Sequence, residues 1–301
     1  MSVSKKLILT VVYLAFTILN GYTQIKIVVF QSDFGLKDGA VAAMKGVANG
    51  VSTDLKLYDL THEIPAYNIW EAAYRLEQTV RYWPTGTVFV SVVDPGVGTN
   101  RKSIVLKTKS GHFIVTPDNG TLTLVAESLG IDSIREIDEA VNRRKDSEKS
   151  YTFHGRDVYA YTAARLAAGT ISFQEVGPEL PPEVVKLPYQ SAELNGNVIH
   201  GTISILDVQY GNVWTNIPGD LFNRLNIQYG NSIQVKIFNK QRLVYSGVLP
   251  YGKTFHSVAK GKPLAYFNSL LKLSFGLNEG NFSAKYKISS GADWKVEVSP
   301  K

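Results

Sequence analysis

The strongest constraint on the fold is an apolar, largely β-branched run, Val88-Phe89-Val90-Ser91-Val92-Val93, which breaks off at Asp94-Pro95-Gly96. Such a run bounded by turn residues reads as a buried strand. Pro95 has no backbone donor, and Gly96 and Gly98 admit unusual backbone angles, so the strand must stop there. Asp94 is therefore predicted at the carboxyl end of a central strand, the edge where open α/β sheets bind ligands. Arg101 follows seven residues on, across a glycine loop short enough to fold its guanidinium back toward the carboxylate.

Around this run the elements alternate. Ile25–Gln31 reads as a strand ending at Ser32-Asp33-Phe34-Gly35, and Asp38 suits the start of a helix over Ala40–Asn49. Leu55–Leu60 is a second strand, closed by Thr61-His62-Glu63-Ile64-Pro65, and Ile69–Arg81 is helical by its apolar spacing. Ser103–Lys107 and His112–Thr116 form a hairpin about Ser110-Gly111. Helices are expected over Leu122–Leu129 and Val158–Ala168. Alternating strands and helices predict an α/β domain with a mainly parallel sheet covered on both sides. Four prolines between Pro178 and Pro188 make a linker, and the texture then changes. Short strands over 198–207, 234–238, 242–246, 263–266, 271–275 and 294–298 predict a smaller all-β domain, a sandwich or barrel. The expected units are residues 25–188 and 189–301.

The 301 residues carry a formal charge of +6 and no cysteine, which excludes disulfides, thiolate metal sites and a cysteine nucleophile. The densest basic stretch, Asn142-Arg143-Arg144-Lys145, is followed by Asp146 and Glu148 and reads as a solvated loop, so no nucleic-acid partner is expected. Lys5-Lys6, an apolar run from Leu7 to Leu19 and the polar exit Asn20–Gln24 read as a signal peptide over residues 1–24. The run is shorter than the roughly 20 residues of a membrane-spanning helix. The expectation is an exported protein, periplasmic or secreted, with no stable membrane insertion after cleavage.

Four polar clusters bound elements of the first domain: SDFGLKD, THE, DPGVGTNR and FHGRD. Three of them, at Asp33, His62 and Asp94, close predicted strands and converge on one edge if those strands are parallel neighbours. No Walker A loop, HExxH or GxSxG occurs, which removes the commonest nucleotide-triphosphate and hydrolase readings. His62-Glu63 is the one candidate metal pair if brought near Asp33, and no metal is expected.

In order along the chain, SDFGLKD, LTHEIP, VVDPGVGTNR, VTPDNGTL, TFHGRD, DVQYGNVWTNI and NEGN resemble the S-adenosyl-L-methionine hydroxide adenosyltransferase family, the hydrolases related to fluorinases and chlorinases. The resemblance spans Ile25 to Asn281. It implies an α/β N-terminal domain with a smaller β-barrel, and homotrimers holding substrate between the N-domain of one subunit and the C-domain of the next. It also implies the reaction of S-adenosyl-L-methionine with water to give adenosine and methionine, without a cofactor. The family's Asp, Arg and His triad falls on Asp94, Arg101 and His154, which orient water and stabilise its hydroxide character.

Substrate-binding residues follow from the same resemblance. Asp33 takes the ribose hydroxyls, Tyr67 lines the ribose or sulfonium side, and Asp38 and Asp207 lie near the methionine ammonium. Tyr210 and Trp214 sandwich adenine, Asn212 meets its edge, Asn278 sits at the adenine loop and Ser269 faces the methionine carboxylate. Two positions depart from the pattern: Asn68 replaces an acid, and Leu270 stands where halogenases have arginine. The triad favours the hydrolase over the alternatives, a halogenase or a non-catalytic exported adenosyl- or sulfonium-binding protein.

Overall fold

The computed structural model describes residues 25–301; the predicted signal peptide lies outside them. Among the described residues no helix is long and apolar enough to cross a membrane. The N-terminal part runs β1 (Ile27–Ser32), α1 (Ala40–Val51), β2 (Lys56–Thr61), α2 (Ile69–Val80), β3 (Val88–Val92), β4 (Ser103–Thr108), β5 (Phe113–Pro117), α3 (Thr123–Leu129), β6 (Ile131–Glu136) and α4 (Glu139–Asn142). A π-helical turn over Gly155–Ala160 then runs directly into α5 (Tyr161–Ala168), and the short β7 (Glu179–Leu180) closes the sheet.

The strand order is β2-β1-β3-β5-β4-β6-β7. β2, β1, β3 and β5 are mutually parallel, and β4, β6 and β7 are added antiparallel. Every residue of β3 is buried, as its unbroken apolar run requires of a strand covered on both faces. On one face Val28, Phe30, Val88 and Val90 pack with Met44 of α1 and Ala163 of α5; on the other, Val29 and Phe89 pack with Leu76 of α2 and Val125 of α3. α1 starts where Asp38 accepts the amide of Ala40, and α2 where Asn68 accepts the amide of Glu71 at 3.0 Å.

The second sheet comprises β8 (Glu193–Asn195), β9 (Val198–Leu206), β10 (Val213–Pro218), β11 (Ser232–Asn239), β12 (Arg242–Pro250), β13 (Pro263–Phe267), β14 (Lys272–Leu277) and β15 (Trp294–Pro300), with α6 (Gly219–Asn223) and α7 (Phe282–Tyr286) between strands. Its order is β12-β11-β15-β9-β10-β14-β13, antiparallel throughout, with β8 paired to β9. A bridge between Tyr251 and Ala265 draws the two edge strands together, so the sheet nearly closes into a barrel around Ile203, Val235, Phe275 and Phe282. The two units meet on α2, where Trp70 Nε1 donates to the carbonyl of Ser204 at 2.7 Å and Arg75 Nη2 to that of Leu206 at 3.2 Å.

The sequence pattern omits β6, β10 and the short helices. β6 carries polar residues at half-buried positions, and in β10 buried positions, Thr215 among them, alternate with half-buried ones, so neither is a continuous apolar run. The helix expected from Val158 instead opens three residues earlier as a π turn, a form frequent at functional sites.

Candidate active site

Asp94 leaves the end of β3 as predicted, and Arg101 folds back on it. Nε of Arg101 donates to both Asp94 oxygens at 2.9 and 3.0 Å, and Nη2 donates to Oδ2 as well. Both side chains are largely enclosed, with 5% of Asp94 and 12% of Arg101 exposed, so the pair is little screened by water. Nη1 of Arg101 donates to Ser103 Oγ at 3.0 Å, and that hydroxyl contacts the Tyr159 phenol at 3.1 Å. Burial opposes the charge on Arg101, yet its bonds to Asp94 leave the guanidinium pKa above its usual value. Burial also pushes the Tyr159 phenol well above its ordinary range, so it stays protonated. The turn itself is braced by Asn119, whose Nδ2 donates to the carbonyl of Val93 at 2.8 Å.

His154 immediately precedes the π turn and is buried. Gly155 makes that placement possible, because a Cβ there would lie 3.3 Å from Met44 Sδ and from the Phe34 ring. Behind His154, Arg143 Nη2 approaches Nε2 at 3.1 Å, and Glu139 holds the same guanidinium at 2.7 Å. Burial works against the charge on Glu139, but the Arg143 guanidinium paired with it holds the carboxyl below the usual carboxylate range. Three residues on, Asp157 is fully buried between Arg144 and Arg156. The basic stretch at 142–145 is thus only partly solvated, at Lys145 and at the half-exposed Arg144. Asn142 is buried, Arg143 faces His154 and Arg144 neutralises Asp157.

The ends of β1 and β2 converge beside this group. Asp33 Oδ2 accepts the amide of Tyr67 at 2.9 Å, and Tyr67 has a positive φ of 69°, strained for an aromatic residue. His62 is a bracing residue: its ring nitrogens meet Ser32 Oγ at 2.7 Å and Asp59 at 3.0 Å, so neither is left for a metal. Burial holds His62 below the ordinary histidine value although Asp59 opposes this. Among the described residues no group of three or more His, Cys, Asp or Glu side chains has the arrangement of a metal site. Asp33, Tyr67, Asp94 and His154 together line one cavity of about 250 Å³, walled also by Phe34 and Phe153.

A second group gathers on the barrel. Asp207 and Asn212 close the turn between β9 and β10: the Asp207 amide donates to the Asn212 carbonyl at 2.9 Å, and Asn212 Nδ2 to Asp207 Oδ2 at 3.0 Å. This leaves Asn212 Oδ1 buried without a partner. Gly276 faces that oxygen, and a Cβ there would come within 2.4 Å of it. Trp214 stands in register with Ser274, which pairs with Tyr266, whose phenol burial raises to about 12. Asn278 follows β14 and donates to the carbonyl of Val258 at 2.8 Å. Tyr210 is 65% exposed at the tip of the turn.

Within one chain the cavity lined by Asp33, Tyr67, Asp94 and His154 takes no residue from the barrel group. Asp38 is exposed and serves as a helix start. Ser269 sits at the opposite end of β14 from Asn278, in the β13–β14 turn. It lines a separate groove of about 510 Å³ with Trp70, Tyr74 and Tyr189. The sequence reading passed over Ser103, Tyr159, Glu139 and Arg143. Asn119 lies in a recognised motif without an assigned part, and the other four carry no local signal.

Residues 28–177 match the SAM hydroxide adenosyltransferase N-terminal domain and residues 201–295 its C-terminal domain. An (R)-S-adenosyl-L-methionine hydrolase of Methanocaldococcus jannaschii is 42% identical over 218 residues, 71% of this chain and 74% of the relative. A fluorinase of Actinopolyspora mzabensis is 27% identical over 91% of this chain and 97% of its own length. The crystal structure of an uncharacterized conserved protein from Thermotoga maritima superposes with a TM-score of 0.83 at 33% identity, covering 90% of this chain and 99% of the other. With both domains matched over most of the chain and a solved fold superposing on 90% of it, the chain belongs to the SAM hydroxide adenosyltransferase family.

Proposed function

We propose that this protein hydrolyses S-adenosyl-L-methionine to adenosine and L-methionine. The observation that carries the reading is the cavity lined together by Asp33, Asp94 and His154, with Asp94 held in an enclosed ion pair by Arg101. Water attacks C5′; the C5′–O bond forms as the C5′–S bond breaks. The electron pair of that bond returns to sulfur, which leaves as a neutral thioether and needs no acid. The proton lost by water passes to Asp94 and on to solvent. Asp94 orients the water and takes its proton, Arg101 favours hydroxide character by its charge, and Asp33 offers a carboxylate to the ribose diol. The buried acceptor Asn212 Oδ1 suits the amino group of adenine.

The active unit in this reading is a homotrimer, with the Asp94 cavity of one subunit closed by the Asn212–Trp214 face of the next. Exposed apolar residues support it at both half-sites: Leu36 and Tyr67 near the cavity, Val208 and Tyr210 on the barrel. Asp207 and Ser269 are assigned to the methionine end on family resemblance alone. The reaction uses no metal, since a neutral leaving group needs no Lewis acid; turnover is expected to survive exhaustive chelation, and restoration by a divalent ion would refute this. The basic, apolar N-terminus supports export, which cell fractionation tests: activity confined to the cytoplasm would refute it.

The deciding experiment incubates the purified protein with S-adenosyl-L-methionine in ¹⁸O-water. Adenosine labelled at its 5′ oxygen is expected, together with methionine. A 5′-chloro nucleoside formed in chloride would make the protein a halogenase. Tight binding without turnover would make it a binding protein.

A further inference from the structure

His154 is 5% exposed, and its two ring nitrogens have different neighbours. Nε2 faces Arg143 Nη2 at 3.1 Å. A guanidinium has donors only and is always charged, so Nε2 accepts that hydrogen bond. An imidazole that accepts at one nitrogen carries its proton on the other. Glu139 Oε2 lies 3.6 Å from Nε2, beyond hydrogen-bond reach, and is occupied by Arg143 Nη2 at 2.7 Å and Nε at 3.2 Å. The Arg143 guanidinium also lies over the Tyr151 ring, 5.0 Å from its centroid, and its side chain is 9% exposed. It is therefore held from two sides. Nδ1 is buried with no protein partner, and His154 lines the cavity that contains Asp94.

We propose that Arg143, anchored by Glu139, is a positioning residue that fixes His154 as a neutral ring with its proton on Nδ1, a hydrogen-bond donor for the attacking water oxygen. The inference rests on the hydrolase reading and deepens it. His154 keeps its proton throughout, and the proton released by water goes to Asp94. A ring protonated at both nitrogens would set an N–H against the Arg143 guanidinium. The charged and titratable groups around the ring are Glu139 and Arg143 behind it, Tyr151 and Tyr159 beside it, and Asp33, Asp94 and Arg101 toward the cavity.

The test reads ring nitrogen signals of ¹⁵N-histidine-labelled full-length protein at neutral pH, with His154 assigned from the spectrum of His154→Gln. Wild type should show a protonated Nδ1 and a bare Nε2. Arg143→Ala should move the proton to Nε2 or mix the two forms. Its kcat should fall about 10- to 100-fold with KM near wild type, the usual effect of losing a group that orients a functional histidine. Arg143→Lys, which keeps a donor and the charge, should restore part of both, and guards against misreading a folding defect. A wild-type ring protonated on Nε2, a tautomer unmoved in Arg143→Ala, or an unchanged kcat after the tautomer has moved would each overturn the proposal. The ring signals need no turnover. A protein with the Nδ1–H form that does not cleave S-adenosyl-L-methionine therefore refutes the hydrolase reading and leaves the positioning intact.

Discussion

Asp94 and Arg101 share charge in a place where water screens little, so neither can be removed without stranding the other. Breaking such a pair costs more than the pair itself contributes, because one buried charge is left alone. Asp94→Asn, which keeps the shape, is the cleaner probe than Asp94→Ala. Asp94→Asn, Arg101→Ala and His154→Ala should each lower kcat by about tenfold to ten-thousandfold, the span of proton-transfer and electrostatic effects. Substrate affinity should change less, since in the proposed mechanism these groups act on the water rather than on the nucleoside. Wild-type turnover in all three folded variants would remove the triad from the mechanism. Glu139 gives a pH prediction. Arg143 holds its folded carboxyl below the unfolded value of about 4.3, so it contributes stability above that value and loses it as pH falls through the lowered folded pKa. In urea titrations the stability gap between wild type and Glu139→Gln should be widest above pH ~5 and close toward pH ~2; a gap independent of pH would contradict the assignment.

At the level of elements, the turn between β9 and β10 depends on one glycine. Gly211 has φ +68°, and a Cβ there would lie 2.0 Å from Asn281 Oδ1, the oxygen that caps α7 by accepting the amide of Ala284. The YGN and NEGN motifs are therefore two sides of a single contact. Gly211→Ala should destabilise the protein by about 1–3 kcal/mol through backbone strain, and more if the cap is displaced. KM should rise more than kcat falls, because the turn carries Asn212 and lies remote from Asp94. An unchanged urea midpoint would refute this. The elements legible in sequence were those with strong local patterns: the apolar run of β3, the capped helices α1 and α2, and the β4–β5 hairpin. β6 and the π turn were not legible. β6 places polar residues at half-buried positions, and the π turn follows from packing Gly155 against Met44 and Phe34, which come from far along the chain.

For the whole molecule, the separation of the Asp94 cavity from the Asn212–Trp214 face leads to a complementation test. Asp94→Asn and Trp214→Ala chains, each nearly inactive, should regain part of the activity when unfolded together and reassembled. Some sites in a mixed trimer would combine an intact cavity with an intact barrel face. In the proposed site adenine stacks on Trp214, a contact worth about 1–3 kcal/mol, so its loss alone should be visible in KM. Mixtures that never exceed the separate mutants would place the substrate within one chain. Monomeric wild-type protein with full activity in sedimentation would lead to the same conclusion.

The sequence by itself determined the elements with strong local patterns and where those break off. It did so through short-range chemistry: prolines and glycines that stop strands, side-chain oxygens that start helices, and periodicity that selects the buried face. This was enough to put Asp33, His62 and Asp94 at one sheet edge and to turn Arg101 back on Asp94 within a seven-residue loop. Only the tertiary structure decided what surrounds them. That Ser103 and Tyr159 hold Arg101, that Asn119 braces the strand end, and that His62 is occupied by Ser32 and Asp59 all follow from packing. Packing also decided that Arg143 leaves the solvent to face His154. These contacts join residues distant in the chain, and a charged side chain has no local pattern that tells a paired, enclosed position from a solvated one. Burial and partner are set together, when the layers close.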